Sequence, residues 1–403
     1  MKKTSILFFL VLILFFPICV FSQQNTAALR NYVGLVNKVY HPGVIEYLEN
    51  MRDRLSRQGE RNAVRALESL ISGVTGSGFL YSDSNRNLYV ITNHHVIVQA
   101  HTLSITFESS DGTIKKIDNL RVIASDEEND LAILAIPPGE APVTEGLRFA
   151  TRQINEGEDV FSAGFPGLGL ETFWQFGRGT VSNASVRIPS SYLSDTVIGP
   201  FIQHTAQVDP GNSGGPLLVT QQNVPTGYAV AGINTLSALR RQAANYAIPV
   251  NTAQTFIENA LNPRPETYRA ALDEQLRKFT NGFISNRAVY PHIAGFLSTA
   301  CIGENAISAT NELSRRGSIS VRGAFNTMFE NSITGALAYA VAWTIEDSVR
   351  SGGAMTASVN EVTGSGEEYT VVFTINGRNV NSRWIREFGY WRIRSFGTVA
   401  AGN

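Results

Sequence analysis

The sequence predicts a mainly β protein, with a helical segment ahead of a β-rich domain and an α+β domain behind it. Three observations carry this. From Gly76 to about Val250, short β-branched and aromatic runs alternate with Gly, Asn, Asp and Pro turns. Asn262-Pro263-Arg264-Pro265 then breaks the texture. Beyond it, apolar residues at helical spacing give way to the strict alternation of Tyr369, Val371, Phe373 and Ile375. At about 150 residues per domain, a chain of 403 residues holds two or three domains. With 43% hydrophobic and 17% charged residues it is not a disordered chain. Lys+Arg number 33 and Asp+Glu 34, so there is no basic field to attract nucleic acid, and none is expected as a partner.

Taken in order, residues 1–22 read as a signal peptide. Lys2 and Lys3 form a basic start, Ile6 to Phe16 an uncharged run, and Ser22 a small residue suited to cleavage. The run is shorter than the ~20 residues of a spanning helix, so no membrane span is expected after cleavage. Cleavage also removes Cys19 and leaves Cys301 alone, so no internal disulfide is expected in an exported protein. The periplasm is the expected compartment, with the extracellular space as the alternative. Residues 23–72 read as a helical segment, from Ile45, Leu48, Met51, Leu55 and then Val64, Leu67, Ile71. They are either a pair of helices packed against the next domain or an oligomerisation or regulatory arm, which leaves a homo-oligomer open.

Residues 73–262 supply the β-rich domain. Leu88-Tyr89-Val90-Ile91, Leu103 to Phe107, Ala132 to Ile136 and Tyr228 to Ala231 are strands at the regular spacing of a sandwich or barrel. Residues 266–403 are expected to fold on their own as an α+β domain of unknown role. Helices fall near 266–280, 292–315 and 321–350, and strands near 355–362, 369–375, 378–386 and 390–396. Asn376-Gly377 is a strong hairpin signal, because both turn residues must accept positive φ. Tyr369, Phe373, Trp384, Phe388, Tyr390 and Trp391 read as core.

Three motifs carry chemistry. Gly211-Asn212-Ser213-Gly214-Gly215-Pro216 offers a serine between glycines. A serine hydroxyl attacks only when a base takes its proton. The N–H groups of Gly211 and Ser213 are candidates to hold an oxyanion. Ile91-Thr92-Asn93-His94-His95-Val96-Ile97 supplies that base, and Asp130-Leu131-Ala132-Ile133-Leu134 puts an acid ahead of an apolar strand. The order His, Asp, Ser is that of chymotrypsin-type proteases, not of subtilisins or α/β-hydrolases. Ser213 is then the nucleophile, His95 the base and Asp130 its orienting partner. Asp126 competes with Asp130, but lies in the acidic run Asp126-Glu127-Glu128. His204 reads as a packed or wall residue. No zinc-type spacing and no phosphate loop appears, so neither a metal nor a cofactor is expected.

The stretch Gly76 to Val250 resembles the protease domain of the HtrA/Deg branch of trypsin-like serine proteases. The resemblance rests on Gly76-Ser77-Gly78-Phe79, Thr92 to Val96, Asp130-Leu131-Ala132, Gly164-Phe165-Pro166-Gly167, Gly211 to Pro216, Gly232-Ile233-Asn234-Thr235 and Ala247-Ile248-Pro249. It implies a chymotrypsin-like double β-barrel of two six-stranded barrels, with the active site at their junction. It selects His95 over His94, because His95 directly precedes the apolar pair Val96-Ile97. It implies a specificity pocket with Gln207 at its base, Asn234, Thr235 and Leu236 as walls, and Ala243 to Asn245 on the far side. Asp209 would lie outside that pocket. No PDZ-type carboxylate-binding loop appears, and the C-terminal helices and meander resemble nuclear-transport-factor-like cones in architecture only. The reading is an exported serine endopeptidase with polypeptide substrates. The alternatives are a catalytically silent protease-fold binding protein and a cell-envelope adaptor acting through its C-terminal domain.

Overall fold

The computed structural model describes residues 25–168, 171–188, 199–237, 244–262, 265–285, 289–315, 333–350 and 355–397. The expected leader 1–22, Pro263 and Arg264, Ala243, and residues 321–332 of the last expected helix lie outside the described residues.

A 3-10 turn, Ala28–Asn31, leads into β1 (Val33–Val39), α1 (Pro42–Arg57) and α2 (Arg61–Ser72). Then come β2 (Val74–Ser82), β3 (Leu88–Thr92), α3 (His94–Ile97), β4 (Thr102–Glu108), β5 (Ile114–Ile117), β6 (Arg121–Asp126) and β7 (Leu131–Ala135). These strands form a seven-stranded sheet in the order β5-β4-β1-β2-β3-β7-β6. The next unit comprises β8 (Asp159–Gly164), a small hairpin of β9 (Gly167–Leu168) and β10 (Glu171–Thr172), β11 (Gln175–Val186), β12 (Phe201–His204), β13 (Pro216–Thr220), β14 (Tyr228–Ser237) and β15 (Asn245–Pro249). Six of these close a barrel in the order β11-β12-β15-β14-β13-β8. After α4 (Val250–Leu261), the chain forms α5 (Pro265–Ser285), α6 (Tyr290–Ala294), α7 (Thr299–Arg315) and α8 (Ile333–Val349). A four-stranded meander ends it: β16 (Ala357–Ser365), β17 (Glu368–Ile375), β18 (Arg378–Glu387) and β19 (Tyr390–Phe396). The fold is mainly β, with helices near its start and an α+β unit behind, as the patterning predicts.

Two expectations need correction. The segment 23–72 is not all helix. Val33-Gly34-Leu35-Val36-Asn37-Lys38-Val39 is β1, paired with β2 on one side and β4 on the other. With β1 in place between β2 and β4, the first unit is a seven-stranded sheet, where the resemblance implies a six-stranded barrel. The run is short and rich in valine, and the helical spacing that follows from Ile45 masks it. β1 and β2 are antiparallel neighbours, with Lys38 opposite Val74, so α1 and α2 are an excursion between paired strands.

That excursion does not pack on the barrels. Val44, Leu48 and Met51 of α1 and Leu67 of α2 are buried in one core with Phe279, Ile302, Val341, Phe373, Trp384 and Ile393 of the C-terminal unit. Pro42 starts α1, and the His41 ring accepts the Gly43 N–H at 3.2 Å. A Cβ on Gly43 would meet the Gly303 carbonyl oxygen at 2.1 Å, so the α1 and α7 backbones touch there. The C-terminal core therefore draws on residues far ahead of position 266.

Each of those four side chains contributes about 1.5–3 kcal/mol when buried. Residues 266–403 expressed alone are expected to lose cooperative thermal unfolding, and to regain it when residues 40–72 are fused on. A sharp melt for 266–403 alone would show that α1 and α2 are dispensable to this core.

The other cores position the site. One lies where the two β units and α4 meet, with Phe79, Ile91, Ile133, Phe201, Leu218, Ile233 and Phe256. Another fills the first sheet around Val96, Ile97, Ile105 and Leu134. Tyr369, Phe373, Trp384 and Trp391 are buried core, as expected. Phe388 and Tyr390 sit instead at the β18–β19 turn, and the Phe388 ring packs on the first sheet's core.

Candidate active site

β3 and β7 pair directly, with Thr92 opposite Ala132. His95, in the single turn of α3 after β3, is thereby brought beside Asp130, which immediately precedes β7. The His95 Nδ1 lies 3.0 and 2.8 Å from the two carboxylate oxygens of Asp130, and the His95 backbone N–H donates to Oδ1 at 3.0 Å. The His95 side chain is 46% exposed and that of Asp130 only 6%. Desolvation alone would raise the Asp130 pKa. The His95 charge, the bonds from His95 and the Thr235 hydroxyl outweigh it and hold the carboxyl below its ordinary value. Asp130 has φ +53, a conformation that Asn and Asp tolerate better than most residues. The Asn93 side-chain amide donates to its carbonyl at 2.8 Å.

Ser213 arrives from the barrel, just ahead of β13. Its hydroxyl donates to the Thr235 carbonyl at 3.2 Å, and the Thr235 hydroxyl donates to Asp130 Oδ2 at 2.5 Å. One residue of β14 thus links the serine to the buried carboxylate. Gly214, at φ +84, lies flat on the other sheet. A Cβ there would meet both the Ser77 carbonyl oxygen and the Thr92 hydroxyl at 2.2 Å, so only glycine admits this approach. Ser77 completes the seam: its N–H donates to the Ser213 carbonyl at 2.7 Å and its hydroxyl to the Gly211 carbonyl at 2.7 Å. Gly211 has φ +105. Its own N–H and that of Ser213 take part in no hydrogen bond among the described residues.

The structure pairs His95 with Asp130 and joins Asp130 to Ser213 through Thr235, with Gly211 tied to the same seam by Ser77; no hydrogen bond runs between Ser213 and His95 among the described residues. Asp126 is not joined to them: it accepts both the backbone and side-chain N–H of Asn129 and closes the β6–β7 turn. Two of the expected pocket walls have side chains engaged elsewhere. Asn234 is fully buried and donates to Ser162 and the Pro216 carbonyl, so it braces the barrel. Thr235 is buried and faces the His95–Asp130 pair rather than a pocket. The Leu236 side chain lies outside the described residues. Gln207 is exposed, and its amide donates to Asp209 Oδ2 at 2.7 Å, so Asp209 is bonded to the expected pocket base rather than apart from it. His204 is fully buried, and burial lowers its pKa to about 4, which agrees with a packed residue. His94 is also buried, lowered to about 4 by burial. Thr235, Asn93 and Ser77 are the contributors that motif reading missed. Each lies inside a quoted motif, but the partner of each is in a turn distant in sequence.

Residues 76–227 match the family model described as trypsin-like peptidase domain. The chain carries a trypsin-like peptidase domain. HhoB of Synechocystis sp. is 32% identical over 188 residues, which cover 46% of this chain and 40% of HhoB. The serine protease Do-like HtrA of Bacillus subtilis is 30% identical over 192 residues, covering 47% of this chain and 39% of that protein. The chain thus spans about two fifths of the length of these curated relatives. A solved serine endoprotease from Yersinia pestis is similar at 24% identity and TM-score 0.37, over 58% of this chain and 65% of its own. Both matched relatives align over less than half of this chain. Among the described residues, no helix of the peptidase domain or its neighbours is long and apolar enough to cross a membrane. No group of three or more His, Cys, Asp and Glu is arranged to hold a metal ion among them.

Proposed function

We propose that the chain is an exported serine endopeptidase that cleaves unfolded polypeptides through Ser213, His95 and Asp130. One observation carries the reading: an exposed imidazole bonded on Nδ1 to a buried carboxylate, with Thr235 joining that carboxylate to a serine in a glycine turn. With Nδ1–H held by Asp130, Nε2 carries the free lone pair. The Ser213 hydroxyl rotates from Thr235 toward His95 and attacks the scissile carbonyl as Nε2 takes its proton. The Gly211 and Ser213 N–H groups stabilise the oxyanion. Collapse of the tetrahedral intermediate breaks the C–N bond, and the imidazolium returns its proton to the leaving amine. Water, activated by the same nitrogen, then releases the acyl group from Ser213. Export is supported by the basic and apolar start of the chain. The periplasm is the proposed compartment.

A fluorophosphonate probe tests the reading against that of a silent binding protein, for which the Ser213 bond to Thr235 is the favouring observation. Labelling confined to Ser213 is the expected result, and no labelling of folded protein rejects an active serine.

The pocket beside Ser213 is proposed to accept small and medium apolar side chains. A preference for Arg or Lys needs an unpaired buried carboxylate to meet the desolvated cation. Gln207 is neutral, and its amide already occupies an Asp209 oxygen. One methylene is worth about 1–3 kcal/mol in such a pocket, so the preference is broad. Mapping cuts in an unfolded protein by mass spectrometry is expected to give mostly Ala, Val, Ile and Leu before the cleaved bond. A majority after Arg or Lys would assign the pocket to Asp209 instead.

A further inference from the structure

The C-terminal unit touches the peptidase domain at the turn that carries Asp130. Phe388, Gly389 and Tyr390 form the β18–β19 turn, with φ +53 at Phe388 and +86 at Gly389. The Phe388 ring packs on the same core as Val96 and Ile97, which follow His95 on α3. The Phe388 carbonyl accepts the hydroxyl of Ser125. A Cβ on Gly389 would lie 3.2 Å from both the backbone N and O of Ser125, so the turn rests directly on β6. The Tyr390 hydroxyl accepts the Glu127 N–H at 2.5 Å, and Arg392 faces the Glu127 carboxylate at 3.9 Å.

These contacts lead to the His95–Asp130 pair by two routes. Ser125, in β6, and Glu127, in the β6–β7 turn, lie five and three residues ahead of Asp130. Ser125 also bonds His94 Nδ1 at 3.1 Å, and the Tyr390 ring meets the His94 ring edge-on at 6.2 Å. The one Ser125 proton goes to Phe388, so the Nδ1–H of His94 is the donor in that bond. His94 is the residue before His95.

We propose that the Phe388–Gly389–Tyr390 turn is a positioning element for the catalytic pair, holding Asp130 through Ser125 and Glu127 and His95 through His94. A residue at positive φ keeps that conformation only where its surroundings fix it. Asp130 is such a residue, and the C-terminal turn supplies part of what fixes it. The two units are also interlocked, since α1 and α2 enter the C-terminal core while Phe388 packs against the core of the first sheet. The C-terminal unit thereby acts on hydrolysis without touching substrate. This rests on the hydrolase reading of His95 and Asp130.

The test compares full-length Tyr390→Phe with the native protein. The variant keeps the ring and removes the oxygen that Glu127 N–H needs. A misplacement of an ångström at a reacting group costs up to about a hundredfold in rate, so a partial release is expected to lower kcat about tenfold. KM is expected to stay within about twofold, because no substrate contact changes. In ¹⁵N-histidine-labelled protein, the signal of the His95 Nδ1 proton bonded to Asp130 is expected to shift. Unchanged kcat with an unmoved His95 signal overturns the proposal. Should Tyr390→Phe not fold, Gly389→Ala takes its place, since its Cβ presses on Ser125. If the native protein hydrolyses nothing, the peptidase reading fails alone, and the His95 signal still decides whether the turn positions the pair.

Discussion

Ser213→Ala is expected to leave a folded protein that no longer digests unfolded casein. The substitution removes one hydroxyl whose hydrogen bond is to the Thr235 carbonyl at 3.2 Å, a contact worth about 0.5–1.5 kcal/mol. The Ser213 carbonyl still accepts from Ser77, and Gly214 N–H still donates to Asn234, because both are backbone groups. The seam between the two β units therefore survives, and urea unfolding is expected to move little. Catalysis has no such tolerance. Without the oxygen there is no acyl intermediate, and loss of the nucleophile in a triad of this kind costs about 10⁶ in kcat. What remains is oxyanion stabilisation and binding, which act on water attacking directly. Casein hydrolysis by the purified variant, beside an unfolding curve, measures both halves. Hydrolysis at the native rate would remove Ser213 from the mechanism.

The residues of the candidate site were legible because they lie in short local motifs. A serine between glycines, a histidine at a strand end and an aspartate before an apolar strand each declare themselves within a few residues. What was not legible depends on pairing across strands. Thr235 looks like a pocket wall until β14 turns its hydroxyl onto Asp130. Asn234 looks the same until its amide is found inside the barrel on Ser162. β1 was hidden because seven residues of valine-rich strand precede a clear helical period, and its place between β2 and β4 is set by tertiary pairing alone. The last three strands of the meander were legible to within a residue, since Asn376 and Gly377, at φ +51 and +75, allow the tight turn that fixes their register, while β16 lies two to three residues later than expected. The docking of Phe388 and Tyr390 had no local signature. In sequence, aromatic residues at a hairpin tip are the same as aromatic residues in a core, and their partner turn is 263 positions away.

Asp130→Asn is expected to lower kcat about 10⁴-fold at neutral pH while substrate binding persists. The loss comes from the proton inventory of the side chain. As a carboxylate, Asp130 accepts three donors: the His95 N–H on Oδ1, the His95 Nδ1–H, and the Thr235 hydroxyl on Oδ2. An asparagine has one accepting oxygen and an NH₂ that only donates. If its oxygen stays on the His95 backbone, the NH₂ faces Nδ1. That nitrogen must then be an acceptor, the ring proton moves to Nε2, and the base has no lone pair for Ser213. Stability should report the same change with a definite sign. The Asp130 carboxyl is held below its ordinary value, so its contribution is present above about pH 4 and is lost as pH falls through the folded-state value. The native protein is therefore expected to exceed Asp130→Asn in stability at pH 7, with the gap narrowing in acid. Unfolding curves at pH 7 and pH 3 read the gap, and initial rates on a peptide substrate read kcat. A loss below tenfold would mean that another group orients His95. A gap that widens in acid would mean that the carboxyl is held above its ordinary value, with burial outweighing His95 and Thr235.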